Sequence, residues 1–112
     1  MANLVLQEFD LGGLIPSFTP ADVAGDVFIN NGKTLLYVKN GDASPHDVTL
    51  NIQKSITIGG ISISLSNPTV TVPAGGEIII GPFSQDWFNS ADGEVSVDYD
   101  AVPSVTVAAL KL

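Results

Sequence analysis

Histidine is the side chain that most often serves as a base or metal ligand near neutral pH. This chain has one, His46, beside Asp47 in the stretch Ala43-Ser44-Pro45-His46-Asp47. A zinc centre needs three or four such ligands. With a single histidine and no cysteine, His46 is read as a residue of a surface turn. Asp98 and Asp100 are two apart in an alternating stretch, so an extended backbone would place their carboxylates on one face roughly 7 Å apart. That separation suits a pair of glycosidase carboxylates or part of a calcium shell. Neither a catalytic acid nor a D-x-D-x-D-G loop accompanies them, and a solvated outer face is the expectation. Asn40-Gly41-Asp42 and Asn89-Ser90-Ala91-Asp92-Gly93 are rich in oxygen donors, but the same residues build ordinary turns.

Gly75-Gly76 precedes an apolar run without the lysine and helix of a phosphate cradle, and no G-x-S-x-G elbow exists. The sequence therefore assigns no catalytic, cofactor-binding or metal-ligating residue, and the expectation is a protein without enzymatic activity. One connection stands apart, Gly81-Pro82-Phe83-Ser84-Gln85-Asp86-Trp87-Phe88-Asn89, with the only tryptophan and two of five phenylalanines. Such aromatics either plug the end of a domain or anchor a partner. Phe83 directly follows an apolar run and favours the plug, while Trp87 and Phe88 are the candidate loop anchors.

The elements that would position these residues are strands. Apolar and polar residues alternate with period two at Val48–Gln53, Ile61–Ser66, Thr69–Val72, Glu94–Tyr99 and Ser104–Val107. Thr34–Lys39 and Glu77–Ile80 are apolar without clean alternation, as strands covered on both faces would be. Asp26–Ile29, the Asn-Gly turn and the Thr34 run read together as a β-hairpin. Turn signals every eight to twelve residues predict an all-β fold, an antiparallel β-sandwich of immunoglobulin-like or jelly-roll-like type. Ser84–Ser90 is long enough for one helical turn capped by Ser84.

Residues 1–24 differ from the domain expected over 25–112. Leu4-Val5-Leu6 reads as an edge strand, but Gly12-Gly13, Pro16 and Pro20 interrupt the rest of the segment. Leu11, Leu14, Ile15 and Phe18 are too apolar for a solvated tail, and with Leu4, Leu6 and Phe9 they make seven apolar residues in the segment. The segment either wraps its own sandwich or docks as an arm on a neighbour, and these seven residues are the candidate partner interface.

Composition narrows the partners. Twelve acidic residues against four lysines, with no arginine, give a formal charge of −8. Phosphate binding needs clustered cations, so neither nucleic acid nor an anionic membrane surface is an expected partner. Hydrophobic residues make up 45% and charged residues 14%, against roughly 25% charged in ordinary domains, which suggests apolar surface covered by a protein. No apolar run reaches the roughly 18 residues of a membrane span, and Met1-Ala2-Asn3-Leu4 lacks the basic flank of a signal peptide. Synthesis and residence in the cytoplasm are expected.

Three stretches resemble a known family: Gly25 to Gly41; Val72-Pro73-Ala74-Gly75-Gly76 with Gly81-Pro82-Phe83 and Phe88-Asn89; and Val105 to Leu112. They are similar to the small, acidic, cysteine-free decoration (cement) proteins of tailed-phage heads. The resemblance implies a β-sandwich on the capsid exterior, made in the host cytoplasm. It also implies the major capsid protein as partner and a homotrimer at three-fold and quasi-three-fold positions. No cofactor is implied. Another virion β-domain (tail, neck or fibre-associated) and a carbohydrate-binding module are the alternatives.

Overall fold

The computed structural model describes residues 2–63 and 65–112. Met1 and Ser64, the latter within the Ile61–Ser66 alternation, lie outside the described residues. In chain order the elements begin with β1 (Ala2–Asn3), β2 (Leu6–Glu8), β3 (Thr19–Pro20), β4 (Asp26–Ile29) and β5 (Thr34–Asn40). Next come β6 (His46–Leu50), β7 (Ile56–Ile58), β8 (Ile61–Ile63), β9 (Thr69–Val72) and β10 (Glu77–Ile80). A single-turn helix α1 (Gln85–Phe88) precedes β11 (Glu94–Tyr99) and β12 (Val105–Lys111).

These strands form a β-sandwich. One sheet has the order β1-β4-β11-β6-β9; the other runs β10-β5-β12-β2, with β3 also on β12. Alternation decides what each strand buries. Phe28, Val48, Leu50, Val72, Val95 and Val97 line the inner face of the first sheet, and Leu36, Val38, Ile80, Val105, Val107 and Ala109 that of the second. Each large side chain so removed from water contributes roughly 1.5–3 kcal/mol. Val70, Ile78 and Tyr99 pack at the margin of this core.

The Asn-Gly turn does not close a hairpin. β4 belongs to the first sheet and β5 to the second, so residues 30–33 arch between layers. Asn30 holds the arch. It is buried, its Nδ2 donates to Phe83 O at 3.1 Å and Asn89 Oδ1 at 2.7 Å, and its Oδ1 accepts from Gly32 N at 2.9 Å. A strand pair needs its outer neighbours free, whereas β4 is already flanked by β1 and β11. Asn40 does the same work at the other end of β5, donating to Ser44 O at 2.9 Å and Val72 O at 3.2 Å.

The sheets are also not purely antiparallel. β1 pairs parallel with β4, and β2 parallel with β12. Residues 2–8 run in one extended line from the edge of one sheet to the edge of the other, crossing at Leu4-Val5, and a single direction of travel makes both pairings parallel. Leu4 and Leu6 pack against the core on the way. β3 returns antiparallel on the same edge of β12, and Ala21 N donates to Val105 O at 3.0 Å. The N-terminal segment thus wraps its own sandwich at residues 2–8 and 19–21.

β5 is covered on both faces. Leu36 and Val38 face the core, and on the opposite face Phe18 meets Tyr37 edge-on, with centroids 5.0 Å apart. Ala108, the cross-strand neighbour of Tyr37, is buried on that outer face. β7 and β8 stand outside both sheets as a two-stranded ribbon, and the molecule measures 48 × 35 × 20 Å.

Candidate functional site

The register of β5 defines two ends of the sandwich. The chain leaves β2 beside Lys111 and Thr34, where Phe9 N donates to Lys111 O at 3.0 Å. The loop between β2 and β3 starts there. It is closed by a reciprocal amide pair: Gln7 Nε2 donates to Ser17 O, and Ser17 N to Gln7 Oε1, both at 2.8 Å. Of the seven apolar residues singled out in this segment, Leu4 and Leu6 are engaged in their own core. Phe18 is held between Tyr37 and the Lys39 ammonium, 4.2 Å from its ring centre. Leu14 is half-buried, Phe9 is exposed, and Leu11 and Ile15 stand almost wholly in solvent at 107% and 92% exposure.

The aromatic connection divides in the same way. Phe83 is buried and stacks between Phe28 at 5.5 Å and Phe88 at 5.6 Å. Phe83 and Phe88 therefore plug the Thr34 end of the sandwich. Trp87 lies at the rim, 37% exposed, with Lys54 Nζ 4.9 Å from its ring centre. Lys54 also bonds Asp86 Oδ2 at 2.6 Å. Gln85–Phe88 is the expected single helical turn, but the Ser84 side chain makes no capping bond.

A feature not singled out from the sequence is the ribbon β7–β8, which leaves the body beside Trp87, where Gln53 N donates to Trp87 O at 2.8 Å. Its register pairs Ile56 with Ile63 and Ile58 with Ile61 across a Gly59-Gly60 turn. Both glycines have positive φ, 58° and 83°, as a two-residue hairpin turn requires. All four isoleucines share one face, and Ile58, Ile61 and Ile63 are exposed. The signal is present in the near-palindrome Ile56-Thr57-Ile58-Gly59-Gly60-Ile61-Ser62-Ile63.

The opposite end, around Asn40 and Gly41, is acidic. Asp22, Asp26, Asp42, Asp47, Glu77, Asp98 and Asp100 lie toward it, with Lys39. His46 is not a surface turn residue. It is buried at the start of β6, with Nε2 2.8 Å from Asp42 Oδ2 and Nδ1 3.2 Å from Asp100 Oδ1. The Asp42 bond holds the imidazole above its ordinary value, and the imidazole in turn draws Asp42 below the usual carboxylate range. Asp98 and Asp100 do not share a face, because β11 ends at Tyr99 and Asp100 turns to His46. Asp26 is buried, accepts from Tyr99 Oη at 2.6 Å, and is raised by loss of solvation. The Thr34 end carries acids as well, Asp92 and Glu94 among them, but it holds more of the lysines, with Lys54 partnering Asp86 and Lys111 partnering Glu8.

Two clefts flank these surfaces. One, of about 290 Å³, is a notch on the edge of β12 between β2 and β3, lined by Leu4, Val5, Gln7, Ser17 and Ala108 among others and by no titratable side chain. The other, of about 310 Å³, lies under the ribbon, with Lys54 its one titratable group. Among the described residues no cluster of three or more His, Asp or Glu is placed to share a metal ion, and no helix is long and apolar enough to cross a membrane. Compared with protein-family models, with curated proteins and with solved structures, the chain matches none.

Proposed function

We propose that this β-sandwich is a virion structural protein, a decoration (cement) protein that docks on the outside of an assembled tailed-phage capsid and stabilises it without catalysis. The observation that carries the reading is the placement of Phe9, Leu11 and Ile15. They are exposed on a loop that strands pin at both ends and the Gln7–Ser17 pair closes. A loop anchored at both ends loses less entropy on docking than a free tail. Three exposed apolar side chains within seven residues of one loop offer a protein partner apolar surface to cover.

Electrostatics orient the contact. The Thr34 end carries lysine partners for Asp86 and Glu8, while the Asn40 end concentrates carboxylates. Docking by the first end leaves the acidic end in solvent, where its charges stay hydrated. A domain that bridges neighbouring subunits of the major capsid protein, at three-fold and quasi-three-fold positions, gains from every additional contact on a repeated lattice. Binding only the mature lattice then shifts its equilibrium away from opening. Purified protein mixed with expanded capsids lacking it is expected to co-sediment with them. Protein that stays in the supernatant at saturating concentration refutes the proposal.

A further inference from the structure

We infer that the four-isoleucine face of β7–β8 binds the same face of a second copy of this chain. The contact uses none of the residues of the capsid-facing loop, although both leave the Thr34 end of the sandwich, and it holds whether or not the capsid reading does.

The ribbon stands apart from both sheets. It has two strands of three residues and pairs with neither sheet. Two-stranded ribbons are marginal in water unless an apolar face is covered. Here one face bears Ile56, Ile58, Ile61 and Ile63, and the other Thr57 and Ser62. Such a face gains order from a partner that removes it from water.

Charge selects the occupant. From Ser55 to Ser66 there is no charged residue, in a chain with a formal charge of −8. Nothing on this face can recognise a charged partner, and a neutral isoleucine surface is complementary to itself. The near-palindrome about Gly59-Gly60 places isoleucine pairs symmetrically in the two strands, so a two-fold contact sets isoleucine against isoleucine without a change of register. Two acidic copies repel least where they are neutral. The ribbon leaves the body beside Trp87, away from the carboxylates around Asn40 and Gly41. A ribbon-to-ribbon contact therefore keeps the most acidic ends far apart, and residual repulsion is screened by salt.

Sedimentation velocity of the full chain across a wide range of concentration tests this. Wild-type protein is expected to self-associate with rising concentration, and more so at high salt. Ile61→Asp, on the isoleucine face, should sediment as a monomer. Thr57→Asp adds the same charge to the opposite face and should associate as wild type does in high salt. Should Ile61→Asp disorder the ribbon, the uncharged Ile61→Ser provides the same test, with at least a tenfold weaker association expected. A wild-type chain that stays monomeric throughout overturns the inference. So does association that Ile61→Asp and Ile61→Ser leave unchanged, or that Thr57→Asp in high salt abolishes as fully as Ile61→Asp.

Discussion

Nε2 of His46 stands 2.8 Å from the Asp42 carboxylate, while its Nδ1 faces Asp100 at 3.2 Å. One buried ring thereby ties the turn after β5 to the turn after β11, and both ties are strongest when the ring is charged. The Asp42 bond raises the imidazole above its ordinary 6.5. A group raised on folding gives its full stabilisation below its unfolded value and loses it as pH climbs through the folded one. The stability lost in His46→Asn, measured by urea unfolding, is therefore expected to be greatest at pH 6 and to shrink above neutrality. A loss that is constant from pH 6 to 9 contradicts this.

Asp26 titrates with the opposite consequence for the usual carboxylate. Burial raises it from 3.8, so the folded state is favoured when it is protonated, and that advantage disappears as pH rises through the elevated value. Asp26→Asn has no such titration. Its stability relative to wild type should improve between pH 4 and pH 7, as read from denaturant midpoints at each pH. A relative stability that falls over that interval would show the carboxylate to be stabilised by ionisation.

The aromatic connection separates packing from surface. Phe83 is 2% exposed and touches both Phe28 and Phe88. Phe83→Ala is expected to cost about 3–5 kcal/mol of unfolding free energy. Trp87→Ala, at the rim, should cost well under that, within about 1 kcal/mol. Equal losses from the two would mean that Trp87 belongs to the plug.

The N-terminal segment makes a sharper contrast. Removing residues 2–8 takes away β1, β2, Leu4 and Leu6, and should unfold the domain or lower its melting temperature steeply. Leu11→Asp with Ile15→Asp should leave stability within about 1 kcal/mol, because exposed sites away from packing rarely matter more. Thermal unfolding of the two variants decides it.

Period-two alternation locates β8, β9, β11, much of β6 and the first three residues of β12, because one buried face writes itself into the sequence. β5 shows only as an apolar run, and its outer cover, Phe18 on Tyr37, explains why it does not alternate cleanly. The arch at Asn30 is not legible as an arch, because an Asn-Gly step permits a tight turn without specifying which sheet the next strand joins. That choice belongs to Asn30, Phe83 and Asn89, which are distant in the chain and meet only in the fold. The same holds for His46, whose partners lie four and fifty-four positions away. Among the candidate interface residues, hydrophobicity alone does not separate Leu4, Leu6 and Phe18, which the domain uses itself, from Leu11 and Ile15, which it leaves outside.

The heat stability of capsids reports whether the loop between β2 and β3 docks on the lattice. Expanded capsids lacking the protein are melted alone, with wild-type chain, and with the Leu11→Asp, Ile15→Asp variant. The wild-type chain is expected to raise the capsid's melting temperature and the variant to leave it unchanged. No rise with wild type, or an equal rise with the variant, would contradict docking through this loop.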